Sequence, residues 1–275
     1  MLDRLRGGRL NRTLALTLLL LAVPLVVLVP GTPGRLGGPA HYRWVVTYGV
    51  PIAAAALAAL LSPRGTRGFL FPGSPGTARR LLPFCLAAFA ADFLYLGAAY
   101  PLHWVTFTFG DQGFSGHPAR TALWGLPVCL ALGVFGWEWA LRRSLFVSWA
   151  GRVRRGPALL ISCAAGVALA APAILPGLEV PDPSYAAAAF VVAACREGSF
   201  ALVFASGAGL PAAGIFRGLF VYIDTFVIND WYSLQFPAAN YTTSEPMFYL
   251  LRAGAAILSA AIVVLGTRRA AGGRA

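Results

Sequence analysis

Val134-Phe-Gly-Trp-Glu-Trp-Ala-Leu-Arg-Arg143 closes a long apolar run, holds one acid inside it, and opens what reads as the most basic loop of the chain. On a helix, Glu138 and Arg142 are four residues apart and lie on one face. The residues before them form one of several runs that approach the ~20 apolar residues needed to cross a bilayer. An ionisable side chain in or beside such a run marks a functional position by default.

Working outward, the composition fits that reading. Of 275 residues, 58% are apolar and 12% charged, and the mean hydropathy is +0.69. These values describe a polytopic membrane protein and exclude an ordinary soluble globule. A net charge of +12 in a soluble chain would suggest nucleic acid. Here the positive charge, all of it arginine, sits in short segments between apolar runs, where it sets topology and meets anionic lipid. The expected partner is therefore the lipid bilayer, with no nucleic acid.

The pattern predicts an all-α fold, a single integral membrane domain over 1–275 with about eight spans. These are 13–29, 44–61, 81–100, 121–141, 157–175, 185–206, 212–228 and 248–266. The N-terminus, the 62–80 and 142–156 loops and the C-terminus are arginine-rich, whereas the 177–184 and 229–247 loops are acidic. That alternation predicts an N-in/C-in bundle. The first run resembles a signal peptide, but its length and the lack of a small-x-small cleavage site favour an uncleaved helix. The expected location is the bacterial inner (plasma) membrane.

Within spans or at their edges lie four acids, Asp92, Glu138, Glu197 and Asp224, and four arginines, Arg142, Arg196, Arg217 and Arg252. Lipid-facing charges are costly, so these should point inward and pair between helices. Arg196 and Glu197 are neighbours, cannot share a helix face, and need separate partners. Glu197-Gly198-Ser199 also suggests a break in the sixth helix. Cys85, Cys129, Cys163 and Cys195 fall in apolar runs without metal-binding spacing. His41, His103 and His117 all lie in predicted loops, and a site from His103, Asp111 and His117 lacks any recognised ligand spacing. No metal or other cofactor is implied. Ser206 is flanked as Ala-Ser-Gly-Ala-Gly and has no histidine after it, which leaves a serine nucleophile without a base.

From about residue 134 to 211 the chain resembles the CAAX-processing and bacteriocin-processing intramembrane proteases, the CPBP family. The family's Glu-Glu-x-x-x-Arg motif aligns with Trp137-Glu138-Trp-Ala-Leu-Arg142. The Ala-Leu-Leu-Ile-Ser run at 158–162 matches its next helix, and Arg196-Glu-Gly-Ser199 matches the segment leading into its last catalytic helix. The resemblance implies the helical scaffold, with Glu138 and Arg142 in matching positions. It does not carry the mechanism. Trp137 stands where the family has its water-activating Glu, and the histidine motifs expected near 167–171 and 207–211 are absent.

Three function classes follow. The first is a non-catalytic CPBP-like protein with a binding or scaffold role toward a peptide, lipid or protein partner. The second is an intramembrane peptidase or hydrolase with rearranged acids, for which Glu138, Arg142 and Glu197 are the catalytic candidates and Asp224 a further acid. The third is a small transporter or a membrane subunit of a complex, with Arg196, Arg217, Asp224 and Arg252 as binding candidates.

Overall fold

A computed structural model describes residues 11–22, 49–61, 73–109, 118–174, 183–224, 228–230, 239–242 and 246–272. There the apolar runs are helical, because a helix satisfies its own backbone polar groups without water. In chain order the helices are α1 (Asn11–Ala22), α2 (Val50–Leu61), α3 (Pro75–Asp92), α4 (Leu94–Ala99) and α5 (Pro118–Ala131). A wide-turn π segment, Leu132–Phe146, continues α5 into α6 (Val147–Ala150). Then come α7 (Arg155–Ile174), α8 (Pro183–Val203), a short π turn (Phe204–Ala208), α9 (Gly209–Tyr222) and α10 (Pro246–Gly272). Three apolar helical stretches, Pro75–Ala99, Pro183–Tyr222 and Met247–Gly272, are long enough to cross a membrane.

The middle stretch is not one rod. Gly207 and Gly209 both have φ of 90°, a conformation that L side chains avoid and glycine adopts freely. The chain folds back there, so Glu197 reaches Arg217 and Arg196 reaches Asp224. In a straight helix, the twenty residues from 197 to 217 would span about 30 Å. The turn expected between the sixth and seventh spans, at 207–211, forms at 207–209, whereas the break suggested at 197–199 is not made. Helix α8 runs unbroken through Gly198, because Arg196 and Glu197 each find a partner on opposite sides of it.

A second correction concerns the basic loop expected at 142–156. The helix continues through Arg142 to Ala150, and only 151–154 lie between it and α7. Ser144-Leu-Phe-Val-Ser-Trp-Ala150 is apolar enough to extend the helix, and Glu138 neutralises the first arginine from within. The all-α expectation holds for nearly all of the described residues, with one small sheet added. Thr106–Phe109 (β1), Ile228–Asp230 (β2) and Ala239–Thr242 (β3) form a small sheet in the order β1-β3-β2. Strand β1 is antiparallel to β3, with Thr106 opposite Thr242, and β2 is parallel to β3. Thr106-Phe-Thr-Phe109 is rich in Thr and aromatic residues, which suit a strand, although it and the 229–247 segment read as loops.

The sheet gathers the end of α4, the end of α9 and the start of α10 at one end of the molecule. Tyr95, Tyr185, Phe248 and Tyr249 pack together there. At the other end the N-terminus of α3 meets the turn between α8 and α9, where Ser74 N–H donates to the Gly207 carbonyl at 2.9 Å. Helix α3 begins at Pro75, and its Ser74 cap accepts a 3.4 Å hydrogen bond from Thr77 N–H. Two apolar cores flank the π segment. One joins Leu16, Ala54, Leu141 and Leu169. The other joins Leu81, Val134, Phe204, Phe216 and Val263.

Candidate functional site

The π segment and α9 touch backbone to backbone. Gly214-Ile-Phe-Arg-Gly218 is a small-xxx-small pattern, the arrangement that lets membrane helices approach closely. A Cβ built on Gly214 would lie 2.5 Å from Val134 Cα, and one on Gly218 would lie 2.7 Å from Leu130 Cα. This crossing carries Arg217, between the two glycines, over the face of the π segment that presents Glu138.

Four charges meet at that point. Arg217 Nε donates to Glu138 Oε1 at 2.7 Å, while its Nη1 and Nη2 grip Glu197 Oε1 and Oε2 at 2.5 and 2.6 Å. The fork geometry of guanidinium matches the carboxylate, which makes such bidentate bonds among the strongest. Arg142 Nη2 donates to Glu197 Oε2 at 2.8 Å and to the Glu197 carbonyl at 3.0 Å. Its Nη1 reaches Ser162 Oγ at 2.5 Å and the Ser162 carbonyl at 3.1 Å. Arg142 Nε lies 3.4 Å from Glu138 Oε2 as an electrostatic contact. The Ser162 hydroxyl in turn donates to the Leu141 carbonyl at 2.8 Å.

The cluster is dry and neutral. Glu138 and Arg142 are 0% exposed, Glu197 3% and Arg217 4%. Two acids meet two bases, so no net charge is buried. Aromatic faces complete the enclosure: the Arg217 guanidinium carbon sits 4.5 Å from the Phe200 ring centroid and 5.4 Å from that of Trp137. Desolvated cation–π contacts of this kind contribute about 2 kcal/mol. Gly166 faces the Glu197 carboxylate so closely that a Cβ there would fall 2.2 Å from Oε2.

Helix α8 carries a second cluster on its other side. Arg196 Nε and Nη2 donate to Asp92 Oδ2 at 3.0 and 2.5 Å, and its Nη1 pairs with Asp224 Oδ2. The guanidinium lies 4.6 Å from the Phe220 ring centroid. Arg252 is near enough to Asp224 to interact with it electrostatically and sits 5.8 Å from the Tyr95 ring centroid. This cluster is more open, because the Asp224 side chain is 32% exposed. Asp92 Oδ1 is buried without a hydrogen-bond partner among the described residues.

The charged residues singled out in the sequence thus divide four and four. Glu138, Arg142, Glu197 and Arg217 come together, and Arg196, Asp224 and Arg252 gather with Asp92. Ser162, Gly166, Phe200 and the Gly214/Gly218 pair were not singled out, although the small-xxx-small spacing was available to find the last two. Among the described residues, no group of three His, Cys, Asp or Glu side chains is placed to hold a metal ion. Asp111 and His117 lie outside the described residues.

The arrangement is suited to holding helices together and poorly suited to activating water. A general base needs a carboxylate within reach of the proton it takes. Here the Glu138 and Glu197 oxygens face guanidinium groups, and neither residue opens on solvent. No protein-family model matches the chain, and neither a curated protein nor a solved structure is detectably similar to it.

Proposed function

We propose that this chain is a non-catalytic, multi-pass membrane protein on a CPBP-like scaffold, with a binding or scaffold role. In this reading the bundle has about eight spans in an N-in/C-in arrangement. The observation that carries it is the closure of both Glu138 and Glu197 by Arg142 and Arg217. Trp137, at the position of the family's catalytic Glu, supports the same reading: it offers an aromatic face to Arg217 in place of a base. The arginine-rich segments suit the inner side. The sheet joins two expected outer segments, 101–120 and 229–247, at one end of the molecule, which supports the alternation.

The test uses membranes carrying the full chain and a mixed pool of peptides, with Glu138→Gln and Glu197→Gln beside the wild type. The account expects no cleavage by the wild type above empty membranes, and both variants less stable than it. Peptide cleavage by the wild type, lost in either variant while the fold persists, would establish the hydrolase reading instead.

A transporter or complex-subunit reading draws on the second cluster, where a buried Asp92 oxygen has no hydrogen-bond partner and Asp224 is partly exposed. Intramembrane acids in such settings mark ion and proton paths. Proteoliposomes that show solute- or proton-coupled flux, abolished by Asp224→Asn, would favour it.

A further inference from the structure

Away from both charge clusters, a cleft of about 480 Å³ opens between α3 and α9. Its size falls within the range of small-ligand sites. Leu81, Leu82 and Leu86 form one wall, and Ala212, Ile215 and Leu219 the other. Leu82, Leu86 and Ile215 are 55%, 52% and 47% exposed, so the cleft opens sideways from the bundle. In a membrane that side faces lipid.

The cleft is polarised. Among the described residues Arg79 is the one charged residue in its lining, and it stands near the start of α3. No carboxylate among the described residues lines the cleft to neutralise it. At the same end the backbone of Gly73 packs on the turn between α8 and α9, where a Cβ would lie 1.7 Å from the Ala208 carbonyl oxygen. From Ala78 to Leu86 the helix advances about 12 Å, close to the ~15 Å hydrocarbon depth of one leaflet. A guanidinium at the rim and an apolar slot one leaflet deep match a phosphate joined to an acyl chain.

We propose that this cleft binds an anionic phospholipid, with one acyl chain between α3 and α9 and the headgroup phosphate on Arg79. The proposal rests on the membrane-spanning reading of these helices. A purely apolar occupant would leave Arg79 unused, whereas a phospholipid uses both the charge and the slot.

Native mass spectrometry of the full chain in detergent, with phosphatidylglycerol or phosphatidylcholine of equal chain length added, tests it. The wild type should retain phosphatidylglycerol preferentially. Arg79→Gln should lower that retention about five-fold, the effect of one arginine on an anionic lipid. Arg155→Gln, at an exposed position outside the cleft, should leave it unchanged. Leu86→Trp and Ile215→Trp fill the cleft from two exposed positions, and each should remove bound lipid of both kinds.

Equal retention of the two lipids, equal losses in Arg79→Gln and Arg155→Gln, or full retention in both tryptophan variants would overturn the site. Recovery of the wild type as a soluble protein without membranes would overturn the membrane-spanning reading itself, and the site with it.

Discussion

Arg196 and Glu197 are consecutive residues of one helix, yet they belong to two different electrostatic settings. Glu197 enters a closed quartet whose carboxylate oxygens receive guanidinium donors from two helices. Arg196 enters a cluster in which one acid is partly exposed, although each cluster holds one buried carboxylate oxygen, Glu138 Oε2 or Asp92 Oδ1, without a hydrogen bond among the described residues. Both sides pair two acids with two arginines, glutamates in the quartet and aspartates in the open cluster, and what separates them most is desolvation. In the dry quartet each charge is held only by its partners, and removing one strands the others. In the open cluster solvent can replace part of what a partner supplied.

The largest effect that separates the two regions should follow Glu197→Ala. It leaves Arg142 and Arg217 buried with Glu138 alone, and breaking a buried pair in this way costs about 3–5 kcal/mol. Thermal unfolding in detergent would read this directly. Replacing Glu138, Arg142, Glu197 and Arg217 together by apolar residues of similar size should restore most of the loss, because well-packed hydrophobic replacements of buried ion pairs are often neutral.

A smaller loss, about 1–3 kcal/mol, is expected for Gly214→Leu, which forces the π segment away from α9. Gly218→Leu should behave alike, whereas Gly198→Ala, where a Cβ meets nothing within 4 Å, should cause no loss and stabilise the helix by up to about 1 kcal/mol. The smallest loss should come from Asp224→Asn, at about 1 kcal/mol or less, since partly exposed ion pairs contribute little. High salt should shrink that difference further while leaving the Glu197 effect intact, because exposed charges are screened and buried ones are not. Equal losses at Glu197 and Asp224, equally sensitive to salt, would erase the distinction between the regions.

The helical stretches and the need for inward-facing charge partners were legible because apolar runs and isolated ionisable residues are strong local signals. The neighbours Arg196 and Glu197 had to diverge, and they do. The partners themselves were not legible. Arg217 reaches Glu138 because of a glycine crossing between segments 79 residues apart in sequence, and no local pattern specifies that distance. Arg142 read as a loop residue because arginine pairs usually end a span, and only the contacts of Glu138, Glu197 and Ser162 make its burial tolerable. The turn between spans 185–206 and 212–228 was legible, but the additional break suggested at Gly198 is not made. A glycine in a helix is merely tolerated, whereas Gly207 and Gly209 adopt a backbone conformation that demands it. The strands escaped notice because each is three or four residues long and its partners come from distant segments.

The most direct test of the account is a double-mutant cycle between Glu197 and Arg217, using Glu197→Gln and Arg217→Met and following thermal unfolding in detergent. The account predicts that each single change is strongly destabilising. It also predicts a coupling of about 2 kcal/mol or more, toward the upper end for contacting residues. Additive, small losses with no coupling would contradict it, because the quartet would then not be holding the bundle together.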